Sequence, residues 1–226
     1  MSPEHIMSRL LHRDASVLVL DKPAGLAVHG RSGQPRQDAT VTDWLDHLRF
    51  GLPRRPEIAH RLDRETSGCL VLGRHRQALA RLAELFRAGQ VGKAYWALVA
   101  RGPAEPEGRI ELPLGRRSAD PTDWRMRPDP AGLPATTLWR VLGRAGDATW
   151  LELIPVTGRT HQLRVHCAAS GWPILGDTTY GEAGPGGPPL MLHARRVSVP
   201  FHPRKPPIAV EAPPPEHLAA RLPAFG

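Results

Sequence analysis

The chain has 226 residues, 41% of them hydrophobic, with a formal net charge of +8 and a pI of about 10.6. That length buries a proper core as one large domain or two small ones, and the hydrophobic share is ordinary for a globular protein. The charge favours a polyanionic partner, while the absence of any apolar run near ~18 residues excludes a membrane-spanning helix and makes a membrane an unexpected partner.

The first residues, MSPEHIMSRLLHRD, carry scattered charges and lack the apolar centre of a signal peptide, so the cytoplasm is the expected compartment. SVLVL at 16–20 reads as a buried strand closed by the turn Lys-Pro-Ala-Gly at 22–25. A polar Gly/Pro loop covers 30–38. Thr40 followed by Asp43 is a capping-box pattern that opens a helix through Trp44, Leu45 and Leu48, ended by Pro53 and Pro56. CLVL at 69–72 is a second buried strand. Leu79, Leu82, Ala83 and Phe86 then recur at helical spacing, with Gly89 as the stop. AYWALVA at 94–100 is a third strand and 109–112 a short fourth. Residues 113–135, rich in Pro, Asp, Gly and Arg, read as a long surface excursion. Strands at 136–142 and 148–154 form a hairpin through Gly143–Asp147. A helix is read over Arg159–Ala169, then a Gly/Pro loop at 181–189, a last strand at 195–199, and a proline-rich tail with a short helix from Pro215. Several strands follow one another with no room for a crossover helix. The expected fold is therefore one α/β (α+β) domain over 1–226, on a mixed, largely antiparallel central sheet with flanking helices and loops.

The positive charge is almost all arginine, with lysine only at Lys22, Lys93 and Lys205. Arginine suits bidentate phosphate contacts and stacking on bases, although an Arg-, Ala- and Pro-rich genome would give the same bias. Two cysteines, Cys69 and Cys167, allow neither a disulfide framework nor a four-cysteine metal site.

Three segments carry candidate chemistry. In HRLDRETSG (60–68), Asp63 lies between Arg61 and Arg64 on a loop feeding a strand, where nearby cations hold a carboxylate ionised. Taken alone, such an Arg-x-Asp is more often a surface ion pair, and a metal site at His60 and Asp63 lacks further ligands at the usual spacing. In TGRTHQLRVH (157–166), His161 and Arg164 share a helix face, and Arg159 at the helix start could bind a phosphate with the free N–H groups there; a solvated basic helix end reads the same way. His161 and His166 are wrongly spaced for a zinc protease. In KAYWALV (93–99), Tyr95 and Trp96 point to opposite faces. Both packing in the core is the simpler account, but either one facing a basic cleft would suit stacking on an unpaired base.

Taken in order, DKPAGLAVHG (21–30), HRLDRETSGCLVLGR (60–74), KAYWALV (93–99), TGRTHQLRVH (157–166), GWPILGDTTYG (171–181) and LHA (192–194) resemble the RluA-type pseudouridine synthases. The resemblance runs from about residue 15 to residue 200 and implies a pseudouridine synthase-like catalytic domain, in the short form without an N-terminal RNA-binding module. It implies Asp63 as catalytic aspartate, Tyr95 as the tyrosine packing on the target base and a candidate for taking the C5 proton, and Arg164 as the basic residue that holds the aspartate. Arg61 matches the arginine that enters the RNA stack when the base leaves. His60, Leu62, Lys93, Arg159 and His161 are the further candidates for RNA contact.

The expected activity is isomerisation of uridines to pseudouridines in ribosomal or transfer RNA, by a monomer needing no metal or other cofactor. The N1–C1′ bond must break and C5 must join the same C1′. A carboxylate serves by attacking C1′ or by taking the C2′ proton, ionised in either route, and the uridine must first be flipped at a cost of roughly a few kcal/mol. A non-catalytic RNA-binding module would use the same basic cleft but has no need of an ionised carboxylate. A hydrolase built on His60 and Asp63 is the other alternative. The loops at 31–38, 113–135 and 181–189 are the segments where target choice would be written.

Overall fold

The computed structural model describes residues 3–30, 39–120, 123–184 and 186–225. The first of the three loops, 31–38, and residues 121, 122 and 185 of the other two lie outside the described residues. In chain order the elements are α1 (Pro3–Ser8), β1 (Leu10–Arg13), β2 (Val17–Lys22), a 3-10 helix (Val41–Leu48), β3 (Glu57–Ile58), β4 (Ser67–Gly73), α2 (Arg76–Arg87), β5 (Gly92–Ala100), β6 (Glu107–Glu111), β7 (Leu114–Arg116), β8 (Met126–Pro128), β9 (Thr136–Ala145), β10 (Ala148–Pro155), α3 (Gln162–Ala169), β11 (Leu192–Val199), β12 (Ile208–Glu211), α4 (Glu216–Ala219) and a last 3-10 turn (Leu222–Phe225). This is a mixed α/β fold with a large, mostly antiparallel sheet, as the run of strands without crossover helices requires. Among the described residues no helix is long and apolar enough to cross a membrane.

The chain divides into two compact units, Met1–Gly92 with Ala194–Pro214, and Lys93–His193 with Pro215–Gly226. In the first unit the strands run β1-β2-β4-β11, with β12 on β11 and β3 on β4. SVLVL and CLVL are the centre of this unit: β2 pairs antiparallel with β4, Leu18 opposite Leu72 and Lys22 opposite Gly68. All seven positions of β4 are buried, which is why it reads as an unbroken apolar run with no alternation. Beneath it α2 packs Ala78, Leu82 and Leu85 on Val17, Val19, Cys69 and Val71. The predicted capping box is present, with the Thr40 N–H and hydroxyl both donating to Asp43 Oδ2 at 2.8 and 3.1 Å, but the helix it opens is a 3-10 helix.

In the second unit the strands run β5-β10-β9-β6, and β7 pairs β8 as a separate hairpin. The predicted 136–154 hairpin is there, and β10 lies antiparallel on both β9 and β5. Its burial alternates along the whole strand, the pattern of a sheet with one face on a core. Ala97, Leu98, Leu151, Leu153, Leu163, Cys167, Trp172 and Met191 form that core. The helix expected over Arg159–Ala169 is shorter: it begins at Gln162, and His161 is its N-cap in the left-handed region at φ 52°. His161 and Arg164 therefore do not share a helical face from within α3.

Candidate active site

In the first unit, HRLDRETSG is the connection from β3 into β4. Leu62 is buried and anchors it, Arg61 is exposed, and His60 and Asp63 are half-buried. The Asp63 carbonyl accepts from the Thr66 N–H at 3.1 Å, so the carboxylate rides on a closed turn immediately before the strand. His60 is oriented by the protein itself: Nε2 accepts the Val71 N–H at 3.0 Å and the ring stacks on Phe86. Gly68 cannot be replaced, since at φ 105° a Cβ would stand 2.3 Å from the Ala194 carbonyl oxygen.

The turn is held by Lys22, the last residue of β2. Its side chain is 1% exposed, and Nζ donates to the carbonyls of Pro23, Leu26 and Arg64 at 2.8, 2.8 and 2.9 Å. Arg64 closes the same link from the other side, Nε donating to the Gly25 carbonyl at 3.0 Å. DKPAG and HRLDR are thus stapled together around one ammonium. Burial pulls the pKa of Lys22 down to about 7, against the upward pull of Glu65, Asp63 and Asp21. Three carbonyls need three N–H donors and a neutral amine has two, so the geometry is that of the charged form.

In the second unit Tyr95 and Trp96 lie on β5, both half-buried and packed against the core, Trp96 edge-on to Trp150. Tyr95 stands opposite Leu153 of β10. Lys93 is half-buried, burial lowering its pKa, and a Cβ added at Gly158 would come within 3.8 Å of its Nζ, so the start of β5 meets the TGRT loop. That loop is organised by Gln162. Its Oε1 accepts the Thr157 hydroxyl at 2.7 Å and the Arg159 N–H at 3.0 Å, while Nε2 donates to Thr136 O and Thr137 Oγ1 at 2.9 and 3.0 Å. Arg159 Nε turns to the Pro134 carbonyl at 3.0 Å. His166 is buried between Thr137 Oγ1 and the Leu112 carbonyl, and burial lowers its pKa.

Arg164, on α3, is 6% exposed. Within its unit it is gripped by Asp177: Nε donates to Oδ2 at 2.8 Å and Nη2 to Oδ1 at 2.7 Å. Burial pushes the Asp177 carboxyl up, but Arg164 and the N–H groups of Tyr180 and Thr179 outweigh it and hold the pKa below the usual carboxylate value. The guanidinium also lies over the Tyr180 ring, 5.2 Å from its centroid. Among the described residues no cluster of three or more His, Cys, Asp or Glu is arranged to hold a metal.

Residues 16–169, a span that contains Asp63, Tyr95 and Arg164, match the family model described as RNA pseudouridylate synthase. The chain belongs to that family. A Zymomonas mobilis protein named as an uncharacterised RNA pseudouridine synthase is 42% identical over 214 residues, covering 93% of this chain and 95% of that one. The ribosomal large subunit pseudouridine synthase D of Yersinia pestis is 38% identical over 183 residues, covering 80% of this chain and 54% of its own. The chain likewise spans 63% and 51% of two other curated relatives. Among solved structures, human RNA pseudouridylate synthase domain containing 4 superposes with a TM-score of 0.81 at 28% identity, covering 98% of this chain and 94% of that one. The chain is thus an isomerase of the RNA pseudouridine synthase type, as the RluA-type resemblance implied.

For a pseudouridine synthase the sequence reading left two residues without a role, Lys22 and Asp177. Both sit inside quoted segments, DKPAGLAVHG and GWPILGDTTYG. Lys22 had a signal available: it is one of three lysines among 30 Lys and Arg residues, so an ammonium is wanted where this composition would otherwise supply a guanidinium. Asp177 had none beyond an acid in a Gly/Thr turn, because its partner is thirteen residues away on another element.

Proposed function

We propose that this pseudouridine synthase isomerises specific uridines of ribosomal or transfer RNA, with Asp63 as the catalytic carboxylate. The observation that carries the reading is Asp63 itself. It is half-buried on a closed turn, in the segment that the family match spans, beside a buried lysine that holds the turn in place. A carboxylate so placed rides on a turn fixed by main-chain bonds and keeps solvent access for an incoming ribose. Ionised, it attacks C1′ or takes the C2′ proton, and the N1–C1′ bond breaks to free the uracil; the base turns, C5 bonds to C1′ as the carboxylate leaves or the C2′ proton returns, and the proton lost from C5 is balanced by one gained at N1. Tyr95 then packs on the detached base and is the candidate acceptor for the C5 proton. The RluA-type resemblance gives Arg164 as the basic residue that holds the aspartate, and Arg61, exposed beside Asp63, as the side chain that fills the gap left by the flipped uridine. Ribosomal RNA is favoured by the Yersinia relative's name; transfer RNA follows from the RluA-type resemblance.

The test is Asp63→Asn in a single-turnover assay on RNA. The variant is expected to bind RNA as the wild type does and to form no pseudouridine. Substantial product from it would remove Asp63 from the chemistry.

A further inference from the structure

Within the second unit, the segment read from sequence as a surface excursion holds Trp124 in the loop between β7 and β8, 40% exposed. The indole is seated. Its ring meets His161 edge-on, with centroids 4.9 Å apart and an interplanar angle of 75°. His161 Nδ1 lies 2.8 Å from the Tyr180 hydroxyl, and the same hydroxyl accepts the Met126 N–H of β8 at 2.9 Å. Tyr180 therefore ties the hairpin to the start of α3, and its ring lies under the Arg164 guanidinium. His161 is held in the left-handed region, a conformation that a non-glycine residue adopts at a cost and keeps only where its surroundings fix it. A continuous set of contacts runs from Asp177 through Arg164, Tyr180 and His161 to an exposed indole.

The hairpin that carries that indole also carries four arginines, with Asp123 and Asp129 among them. Arg116, Arg117, Arg125 and Arg127 are all exposed on the same hairpin. Arg125 is engaged by Asp123 at 2.8 and 3.0 Å, and Arg127 stands 3.9 Å from Asp129. Arg117 acts electrostatically on Asp123 as well, and Arg116 forms no ion pair with a described residue. A fixed aromatic among guanidinium groups gives a base a π-face and its flanking phosphates a counter-charge.

We propose that Trp124, seated on His161 and braced by Tyr180, is a stacking platform for an unpaired base of the substrate RNA outside the reacting uridine. His161 and Tyr180 are positioning residues for it. The inference rests on RNA being the substrate and is independent of which residue does the chemistry.

Wild type, Trp124→Ala and Trp124→Phe are titrated with poly(U), as the unpaired probe, and with a blunt RNA duplex at one salt concentration. Trp124→Ala is expected to weaken poly(U) binding about tenfold or more and to lose part of the RNA-induced tryptophan quenching. Trp124→Phe should bind within about threefold of wild type, since a phenyl ring still stacks. All three should bind the duplex equally and unfold at the same temperature. A Trp124→Ala protein that binds poly(U) like the wild type overturns the platform, as does an equal loss on the duplex or a wild type that ignores poly(U). The Asp63→Asn isomerisation assay reads the catalytic assignment separately, so either account can fail without the other.

Discussion

The turn that carries Asp63 and the helix that carries Arg164 are built by different means. Around Asp63 the fixed points are main-chain carbonyls gathered by one ammonium, Lys22, and one guanidinium, Arg64. Around Arg164 side chains also bond to one another, Asp177 to Arg164, Gln162 to Thr157 and Thr137, and Thr137 to His166, with main-chain groups completing the set. The first arrangement fixes a loop and leaves its carboxylate half-exposed. The second buries its charges and is rigid because each buried polar group needs its partner. If Asp63 meets the substrate, as proposed, the first setting is the one that leaves it accessible.

The contrast can be broken most severely at Arg164. Arg164→Met leaves the Asp177 carboxylate buried and unpaired, and is expected to cost about 3–5 kcal/mol of stability, read from denaturant unfolding. Arg164→Lys should recover little, because an ammonium cannot bond both carboxylate oxygens in the fork geometry. The pair also has a pH signature. The folded pKa of Asp177 is lowered from 3.8, so the stabilisation is full above that value and is lost as pH falls through the folded pKa. Asp177→Asn should remove that acid-side dependence.

A smaller effect is expected at Lys22. Lys22→Met strips three carbonyls of their donor in a buried place, at a cost of about 2–4 kcal/mol. Because the staple orients the Asp63 turn, kcat should fall even at temperatures where the variant is fully folded. If activity per folded molecule is unchanged, the staple serves stability alone. The smallest folding effect is expected at Arg61, which is exposed: Arg61→Ala should stay within about 0.5 kcal/mol of wild type. Its single-turnover rate should nonetheless fall on folded RNA and recover on an unstructured substrate, where no stack has to be opened.

Those same two regions differ in how far the sequence revealed them. β2 and β4 were plain because burial on both faces leaves an unbroken apolar run, and α2 because its apolar face repeats at helical spacing. β1 and β12, short and half-exposed, were missed, the second inside a proline-rich tail. β7 and β8 have three residues each, too few for any period to show. α3 starts three residues later than the expected Arg159, because Gln162 draws the Thr157 hydroxyl and the Arg159 N–H to its side chain. HRLD was legible as a polarised carboxylate on a loop, and its role came from resemblance. The staple and the Arg164–Asp177 pair join residues distant in sequence, and no local pattern announces such a partner.

The most direct measurement is a map of pseudouridines in total RNA from a strain lacking this protein, complemented with the wild type or with Asp63→Asn. One or a few uridines of ribosomal or transfer RNA should lose modification in the deletion strain, regain it with the wild type, and stay unmodified with Asp63→Asn at equal protein level. Full restoration by Asp63→Asn, or a map identical with and without the protein, would contradict the account.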